Sequence, residues 1–239
     1  HDMKWCYVFA CLFIAWLWFP GHGHADETGR RILMVVTSHD RIDESHPTGL
    51  WLEEFATPYE LFRAANYQVT VASTRGGPAP VDPRSLGDRD KYQPETLAAL
   101  EQTRPLAEVE IDAFDAVFFP GGHGTMYDLP ASVDVARTVA HFLEQDRPAA
   151  FVCHGPAALV GAKRADGTPV IAGRRVTGFT NAEERAVELA DAMPFLLESV
   201  LREQGAEFTG APDFTEHVVV DGKLVTGQNP ASSAAAARA

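Results

Sequence analysis

Residues Pro148 to Leu159 have the sequence Pro-Ala-Ala-Phe-Val-Cys-His-Gly-Pro-Ala-Ala-Leu, and this stretch decides the fold. Ala149 to Val152 is a short apolar run, which is typical of a buried strand. Gly155 and Pro156 predict a tight turn into a helix with proline at its first position. Cys153 then lies on a strand-to-helix turn, where the backbone holds a side chain outward and the first helical N–H groups stabilise a thiolate or an oxyanion. This is the geometry of a nucleophile elbow, with sulfur in place of oxygen.

Strands alternate with helices on both sides of this stretch. Arg31 to Thr37 has the continuous apolar character of a central parallel strand that is covered on both faces. Other strands are predicted over Tyr67 to Ser73 and Phe114 to Phe119, with helices over Gly49 to Ala65, Glu95 to Glu108, Val133 to Glu144, Met193 to Gln204 and Ala231 to Ala239. Asp221-Gly222 predicts the turn of a hairpin. Residues 26–239 are therefore predicted to form one doubly wound α/β domain with a mostly parallel central sheet. The last helix ends in mid-pattern, so we expect the natural chain to continue.

The first 25 residues are expected to be separate from this domain. His1 and Asp2 precede Met3 and are interpreted as additions to the natural chain. Trp5 to Phe19 is an uncharged apolar run that is too short to span a membrane well, and Gly23-His24-Ala25 follows as a small-residue cleavage site. We predict a secretory signal peptide and export to the periplasm or the medium. An uncleaved N-terminal anchor is the alternative.

Composition narrows the class of protein. Hydrophobic residues make up 46% and charged residues 22% of the chain, as in an ordinary globular enzyme. The net charge of -13 is spread along the chain and disfavours nucleic acid and anionic lipid as partners. Cleavage of the signal peptide would remove Cys6 and Cys11, so the mature chain would retain Cys153 alone and have no intramolecular disulfide.

Cys153 and His154 are adjacent on the predicted turn. A lone cysteine is usually a small buried hydrophobe, but this context favours a reactive thiol because the turn exposes it and the helix start lowers its pKa. Neighbouring residues on such a turn point in different directions. The His154 imidazole is therefore predicted to reach another partner rather than the sulfur, while its backbone N–H is suited to donate to an oxyanion.

Helix geometry separates Glu53 from Glu54. At about 100° per residue, Trp51, Phe55 and Phe62 fall within about 40° of one another and define the buried face. Glu54 lies about 60° from Trp51, at the border of that face, and Glu53 lies about 160° away, toward solvent. Glu54 is thus predicted to edge the core beyond the carboxyl end of the first strand, where ligand sites of open α/β sheets lie. A surface Glu54 that bends outward is the alternative.

Gly121-Gly122-His123-Gly124 follows the third strand. The segment lacks the Gly-Lys-Ser/Thr ending of a phosphate loop, and Tyr127 stands where a dinucleotide motif has its third glycine. Nucleotide binding is therefore not predicted. A sharp turn and a second backbone N–H that faces the thiol are both open as roles.

Two acidic segments carry further candidates. Thr180-Asn181-Ala182-Glu183 is a capping box, which gives Glu183 a structural task. Glu184 is left as either a solvated acid near the helix start or the carboxylate that orients His154. A polar loop could suggest a metal, but its residues lack a regular ligand spacing, so a solvated loop is predicted and no metal site is assigned. The residues of that loop are His39, Asp40, Asp43, Glu44 and His46.

Five segments in order resemble the ThiJ/PfpI superfamily, and within it the heat-shock chaperones with glutathione-independent glyoxalase (glyoxalase III) activity. They are Thr48 to Glu54, Pro120 to Gly124, Val152 to Pro156, Thr177 to Glu184 and Thr226 to Ser233. The resemblance covers about Arg31 to the end. It implies a flavodoxin-like sandwich of the class I glutamine amidotransferase type, which is usually a homodimer, with no cofactor. The predicted export is a departure, because these relatives are mostly intracellular.

The resemblance also implies roles for single residues. Cys153 would be the nucleophile, Glu54 the acid/base beside it, and His154 the second member of a triad that Glu184 completes. The backbone N–H groups of Gly122 and His154 would bind the oxyanion, and Gly121 and His123 would contact the substrate. The implied reaction converts methylglyoxal to lactate through a hemithioacetal on the thiol, with a small 2-oxoaldehyde as the substrate.

Other functions fit the same sequence. A holdase chaperone would not need Cys153, and a protein deglycase or a cysteine amidase or peptidase would use the same elbow. A redox-sensing thiol is a further alternative.

Overall fold

Strand β1 (Arg31–Val36) is an interior strand of a seven-stranded sheet in the computed structural model, which describes residues 29–239. The predicted signal peptide and the residues before it lie outside the described residues. The other strands of the sheet are β2 (Gln68–Ser73), β3 (Arg104–Pro105), β4 (Ala116–Phe119), β5 (Ala149–Val152), β8 (Val218–Asp221) and β9 (Leu224–Gly227). Their order is β3-β2-β1-β4-β5-β9-β8, and every pair is parallel except β8 with β9. Strands β6 (Arg175–Val176) and β7 (Glu207–Phe208) form a separate parallel pair.

Helices cover the sheet. They are α1 (Leu52–Ala64), α2 (Pro94–Ala98), α3 (Thr125–Asp128), α4 (Val133–Glu144), α5 (Ala157–Val160), α6 (Asn181–Ala186), α7 (Leu197–Glu203) and α8 (Ser233–Arg238). Within residues 29–239, no helix is long and apolar enough to cross a membrane.

The alternation of side chains along β1 divides the core into two layers. Leu33 and Val35 belong to one buried cluster, which includes residues of α4, α5 and α7. Met34 and Val36 belong to the other, which includes residues of α1 and α8. Since successive side chains of a strand point to opposite faces, a strand that is apolar throughout must be covered on both sides. The prediction of a mostly parallel, doubly wound sheet is confirmed.

The strand order places a switch point beside β1. The chain moves from β1 to β2 on one side and to β4 on the other, so the connections leave the carboxyl ends of β1 and β4 in opposite directions. Ligand sites of open α/β sheets lie at such points, and here the start of α1 meets the segment after β4 through a hydrogen bond from the Trp51 N–H to the Gly121 carbonyl. Strand β5 follows β4 in the sheet and brings the Cys153 turn to the same edge.

Three predicted elements differ from the structure. The helix predicted over Glu95 to Glu108 ends at Ala98, and Arg104–Pro105 forms edge strand β3 instead, because a proline disfavours helix before it and is tolerated at a sheet edge. The helix predicted from Met193 begins at Leu197, beyond Pro194. The hairpin turn is Gly222-Lys223, since Asp221 pairs with Leu224 and Gly222 has a left-handed φ of 61°.

Gly155 is expected to tolerate no side chain. A Cβ at this position would lie 2.2 Å from the carbonyl oxygen of Phe119, so Gly155→Ala must push β4 away from the Cys153 turn. We expect a loss of about 1–3 kcal/mol in the free energy of unfolding, measured by urea denaturation. Gly87→Ala is the matched control, because a Cβ at Gly87 meets nothing within 4 Å. Equal stability of the two variants would contradict the packing described above.

Candidate active site

Cys153 follows β5 directly and adopts a left-handed backbone conformation, with φ of 59°. Its N–H donates to the carbonyl of Gly227 at 2.9 Å, and its carbonyl accepts from the N–H of Phe179 at 2.9 Å. Left-handed backbone is costly for a residue with a Cβ, and outliers of this kind cluster at functional sites. The predicted turn is confirmed, but its exposure is wrong: Cys153 is 3% exposed.

Burial reverses the predicted effect on the thiol. Desolvation comes first, followed by the charge of Glu54, and together these raise the pKa of Cys153 well above its usual range. The expectation that the helix start would lower the pKa of Cys153 is therefore wrong. Helix α5 has only four residues, and the acidic groups close to the sulfur outweigh its dipole.

Glu54 is buried in the first turn of α1, as the helix-face analysis predicts, and Glu53 is partly exposed. The Glu54 Oε2 atom accepts a hydrogen bond from the N–H of Gly121 at 2.7 Å. Its Oε1 atom has no hydrogen-bond partner in the described part of the chain. Burial raises the pKa of Glu54 to about 8, although the Cys153 thiol and the Gly121 N–H act in the opposite direction. At neutral pH, Glu54 is therefore a carboxylic acid beside a thiol.

The His154 imidazole contacts both a sulfur and a carboxylate. Its Nδ1 atom lies 3.3 Å from the Sγ of Cys153, and its Nε2 atom lies 2.6 Å from Oε2 of Glu184. The prediction that the ring would avoid its own cysteine is wrong, since the left-handed turn at Cys153 brings the two side chains together. A carboxylate can only accept, so Nε2 carries the proton and Nδ1 is free to accept one from the thiol.

Glu184 accepts from two histidines. Its Oε1 atom lies 2.7 Å from Nε2 of His123, and both rings are buried. Burial acts to raise the pKa of Glu184, but His154 and His123 outweigh it and hold this pKa well below its usual range. Glu184 is thus the carboxylate that bonds His154, and the alternative of a solvated acid is excluded.

His123 is held by Arg84, which the sequence did not single out. Nη2 of Arg84 lies 3.2 Å from Nδ1 of His123, and Asp82 pairs with the same Nη2 atom at 2.6 Å. Because arginine only donates, Nδ1 of His123 accepts and its proton is on Nε2, facing Glu184. Burial lowers the pKa of His123 to about 4, with a further contribution from His154. The side chain of His123 therefore bonds to Glu184, and the sequence offered no sign of this because Asp82 and Arg84 lie in a long proline-rich loop.

Two backbone N–H groups close to the Cys153 turn make no hydrogen bond in the described part of the chain. Within residues 29–239, neither Gly122 nor His154 has a hydrogen-bond partner for its N–H. A Cβ at Gly121 would lie 2.6 Å from the backbone nitrogen of His154 and 2.7 Å from Oε2 of Glu54. Glycine is required at Gly121 because this close approach joins the ends of β4 and β5 to α1. The glycine segment is thus both a sharp turn and a source of free N–H groups.

His123, His154 and Glu184 also form a group whose ligand atoms lie within 4.8 Å of one another. The two Nε2 atoms already face the carboxylate at hydrogen-bond distance, so a metal ion would have to separate them. The polar loop before α1 is exposed, and within it Asp43 and His46 pair with each other at 2.7 Å.

Residues 48–239 match the model of the DJ-1/PfpI family. The chain belongs to this family. It is 31% identical over 231 residues to the glutathione-independent glyoxalase hsp3101 of Schizosaccharomyces pombe, in an alignment that covers 87% of this chain and 93% of the relative.

Two solved structures have the same fold over nearly their whole length. Rapid Encystment Protein 24 kDa of Francisella tularensis is 36% identical, with a TM-score of 0.84 over 87% of this chain and 96% of that one. Glyoxalase III of Candida albicans is 26% identical, with a TM-score of 0.81 over 87% of this chain and 95% of that one. The resemblance seen in the five sequence segments is confirmed.

Glu54→Gln is expected to shift the alkylation of Cys153 to lower pH. The substitution removes the carboxylate charge that raises the pKa of the thiol. The rate of reaction with iodoacetamide is measured between about pH 6 and 10 by mass spectrometry of the Cys153 peptide, which separates it from Cys6 and Cys11. Glu53→Gln, one residue away on the outer face of α1, is the control. If the alkylation rate of Glu54→Gln depends on pH as that of wild type does, the Glu54 carboxyl does not affect the pKa of the Cys153 thiol.

Glu54 is also expected to make the protein less stable as the pH rises. Its pKa is about 8 in the folded protein against 4.5 as the ordinary value, so its contribution is complete below about pH 4.5 and is lost as the pH rises through 8. A tenfold difference in proton affinity between the folded and unfolded chains is worth about 1.4 kcal/mol. The unfolding free energy of wild type should therefore fall by several kcal/mol more than that of Glu54→Gln between these two pH values, measured with urea. An equal fall in both proteins would refute this, since their other titrating groups are the same.

Proposed function

We propose that this protein is a glutathione-independent glyoxalase that converts methylglyoxal and related 2-oxoaldehydes to 2-hydroxy acids. One observation carries the proposal: a buried carboxylic acid, whose Oε1 atom has no partner among residues 29–239, lies beside a thiol whose proton has an acceptor in His154. A cysteine hydrolase needs the thiol and the imidazole. It has no use for a second, protonated acid against the sulfur, whereas a reaction that moves a proton between two carbons does.

The first step joins the thiol to the aldehyde. The Sγ atom of Cys153 attacks the aldehyde carbon C1 as its proton passes to Nδ1 of His154, 3.3 Å away. Oxyanion character at the former aldehyde oxygen is met by the N–H groups of Gly122 and His154, and Glu54 protonates this oxygen. The product is a hemithioacetal, and Glu54 is now a carboxylate. Its raised pKa suits it to both forms near neutral pH.

The second step moves hydrogen from C1 to C2. The Glu54 carboxylate takes the proton from C1 and returns it to C2, while the hydroxyl proton passes from the C1 oxygen to the C2 oxygen. The aldehyde carbon is oxidised to a thioester and the ketone carbon is reduced to an alcohol, so no external oxidant or reductant takes part. Water then cleaves the C–S bond as Nδ1 of His154 returns its proton to the sulfur, which restores the thiol of Cys153. The proton that the new carboxylic acid gives up restores the acid form of Glu54, and the product leaves as lactate.

The family relatives support the same reaction. The S. pombe relative is named a glutathione-independent glyoxalase, and the C. albicans structure is that of a glyoxalase III. Removal of adducts from glycated protein is the alternative that shares the thiol. Incubation with preformed adducts while a scavenger removes free methylglyoxal distinguishes the two activities.

Lactate formation from methylglyoxal without glutathione is the expected activity. Cys153→Ala and Glu54→Gln should each abolish it, because one removes the nucleophile and the other the group that carries the proton between carbons. A loss of at least about 100-fold in kcat/KM is expected from the size of general acid–base effects. The measurement is enzymatic detection of lactate, with circular dichroism as a check on folding.

Glu53→Gln is the control for this experiment and should retain wild-type turnover. Turnover near the wild-type rate by either active-site variant would rule out the mechanism. Suppression of client aggregation by Cys153→Ala would instead support a holdase role.

Export and dimerisation also belong to the proposal. Export is supported by the apolar run Trp5 to Phe19, and a homodimer by the family resemblance. N-terminal sequencing of the secreted or periplasmic protein tests export and cleavage. Sedimentation of the purified protein measures its oligomeric state.

A further inference from the structure

Phe214 is a strained and exposed aromatic residue. It has a left-handed φ of 58° and is 49% exposed. A left-handed backbone costs a residue with a bulky side chain about 1–3 kcal/mol, and such strain persists only where neighbouring groups enforce it. An exposed ring gains little from burial, so the stability of the fold does not account for this conformation.

Buried polar groups enforce this backbone. The N–H of Phe214 donates to Oε1 of Glu183 at 2.8 Å, and Nδ2 of Asn229 donates to the same oxygen and to the carbonyl of Thr215, each at 2.8 Å. Gln228 bonds both backbone groups of Ala211. Glu183, Gln228 and Asn229 are fully buried, so the segment 211–217 is fixed to the end of β9 and to the cap of α6.

The Phe214 ring continues a row of rings that starts at the catalytic histidine. The centroid of His154 lies 4.5 Å from that of Phe179, and Phe179 lies 6.2 Å from Phe214. Phe179 is almost completely buried, and its N–H bonds the carbonyl of Cys153. Phe214 is the exposed end of this row, so the row leads from the surface to the imidazole that contacts the sulfur.

We propose that Phe214 is a specificity-determining residue that receives the substituent on C2 of the 2-oxoaldehyde, and that the site favours neutral substrates with an apolar or aryl substituent. This rests on the proposed function, since it assigns C1 to the thiol of Cys153. A group on C2 lies beyond the reacting carbons, where an aromatic ring can pack against it.

The charges around the thiol agree with a neutral substrate. Glu54, Glu183 and Glu184 all act to raise the pKa of Cys153, which means that they disfavour negative charge at the sulfur. A negatively charged substrate is disfavoured at this site for the same reason. The positive charge of Arg84 is paired with Asp82. Apolar contact is therefore what the exposed end of the ring row offers to a substrate.

The experiment compares substrates with and without an aryl group. In wild type, kcat/KM for phenylglyoxal, followed as mandelate, should exceed that for glyoxal, followed as glycolate. Phe214→Ala should lower kcat/KM for phenylglyoxal by roughly tenfold or more and change that for glyoxal by less than about threefold, as expected for the loss of one apolar contact surface. Alanine keeps the same backbone constraint, and Val133→Ala, at a residue that is 81% exposed, is the control.

Alkylation provides a readout that needs no glyoxalase turnover. Phenacyl bromide and bromoacetone both form an S–C bond with Cys153 as bromide leaves, and they differ only in the aryl and methyl groups. Phe214→Ala should lower the rate ratio of phenacyl bromide to bromoacetone at Cys153 by roughly tenfold. An unchanged ratio would overturn the proposal. If the alkylation-rate ratio falls but wild type turns over neither phenylglyoxal nor glyoxal, the proposed function fails and the aryl site at Phe214 stands. A change of oligomeric state in Phe214→Ala with equal losses on both substrates would assign the ring to a subunit contact and overturn the proposal.

Discussion

The hydrogen bond from the Gly121 N–H to the buried carboxyl of Glu54 is the contact on which the site depends. It joins the first turn of α1 to the end of β4 at 2.7 Å, in a space where a Cβ on Gly121 would collide with Glu54 and with the backbone of His154. Only glycine permits this approach, and the approach brings the carboxyl against the Cys153 thiol. One oxygen of Glu54 is used in the bond and the other is left for chemistry. The same contact therefore packs two elements of the fold and positions an acid that the fold alone would not keep buried.

Two glutamates close to one sulfur take opposite protonation states because their surroundings differ. Glu54 accepts one N–H bond in the described part of the chain, from Gly121, and its burial raises its pKa to about 8. Glu184 receives a ring N–H on each of its oxygens, and its pKa falls. Pairs of titratable groups whose environments separate their pKa values are the basis of acid/base assignments. Arg84 contributes to this separation from a distance, since it keeps the proton of His123 on the nitrogen that faces Glu184.

Patterns of one or two turns were enough to predict much of this arrangement. Helix periodicity places Glu54 at the border of the buried face and Glu53 toward solvent, and the structure has Glu54 buried. The capping box at Thr180 is present with both of its bonds. What could not be predicted arises from contacts between distant segments. Three such features are the burial of Cys153, the contact of His154 with the Cys153 sulfur, and the contact of Arg84 with His123. Each depends on how closely the loops pack over the edge of the sheet, and local sequence patterns do not predict that packing. The prediction for the pKa of the Cys153 thiol is wrong for this reason. The helix dipole can be predicted from local sequence, whereas the desolvation of the thiol depends on segments that are distant in sequence.

Glu183 shows why a structural assignment and a functional one need not compete. As the third residue of the helix it completes the capping box, with Oε2 accepting from the Thr180 N–H at 2.9 Å. Its other oxygen accepts from Asn229 and from the backbone of Phe214. A carboxylate buried without positive partners is costly unless N–H donors saturate it, and here backbone and amide donors do so. Glu183 therefore caps the start of α6, the helix that carries Glu184. The same side chain also fixes the strained segment that holds Phe214. A substitution at Glu183 would disturb both at once, so the role of that segment must be read from Phe214 itself.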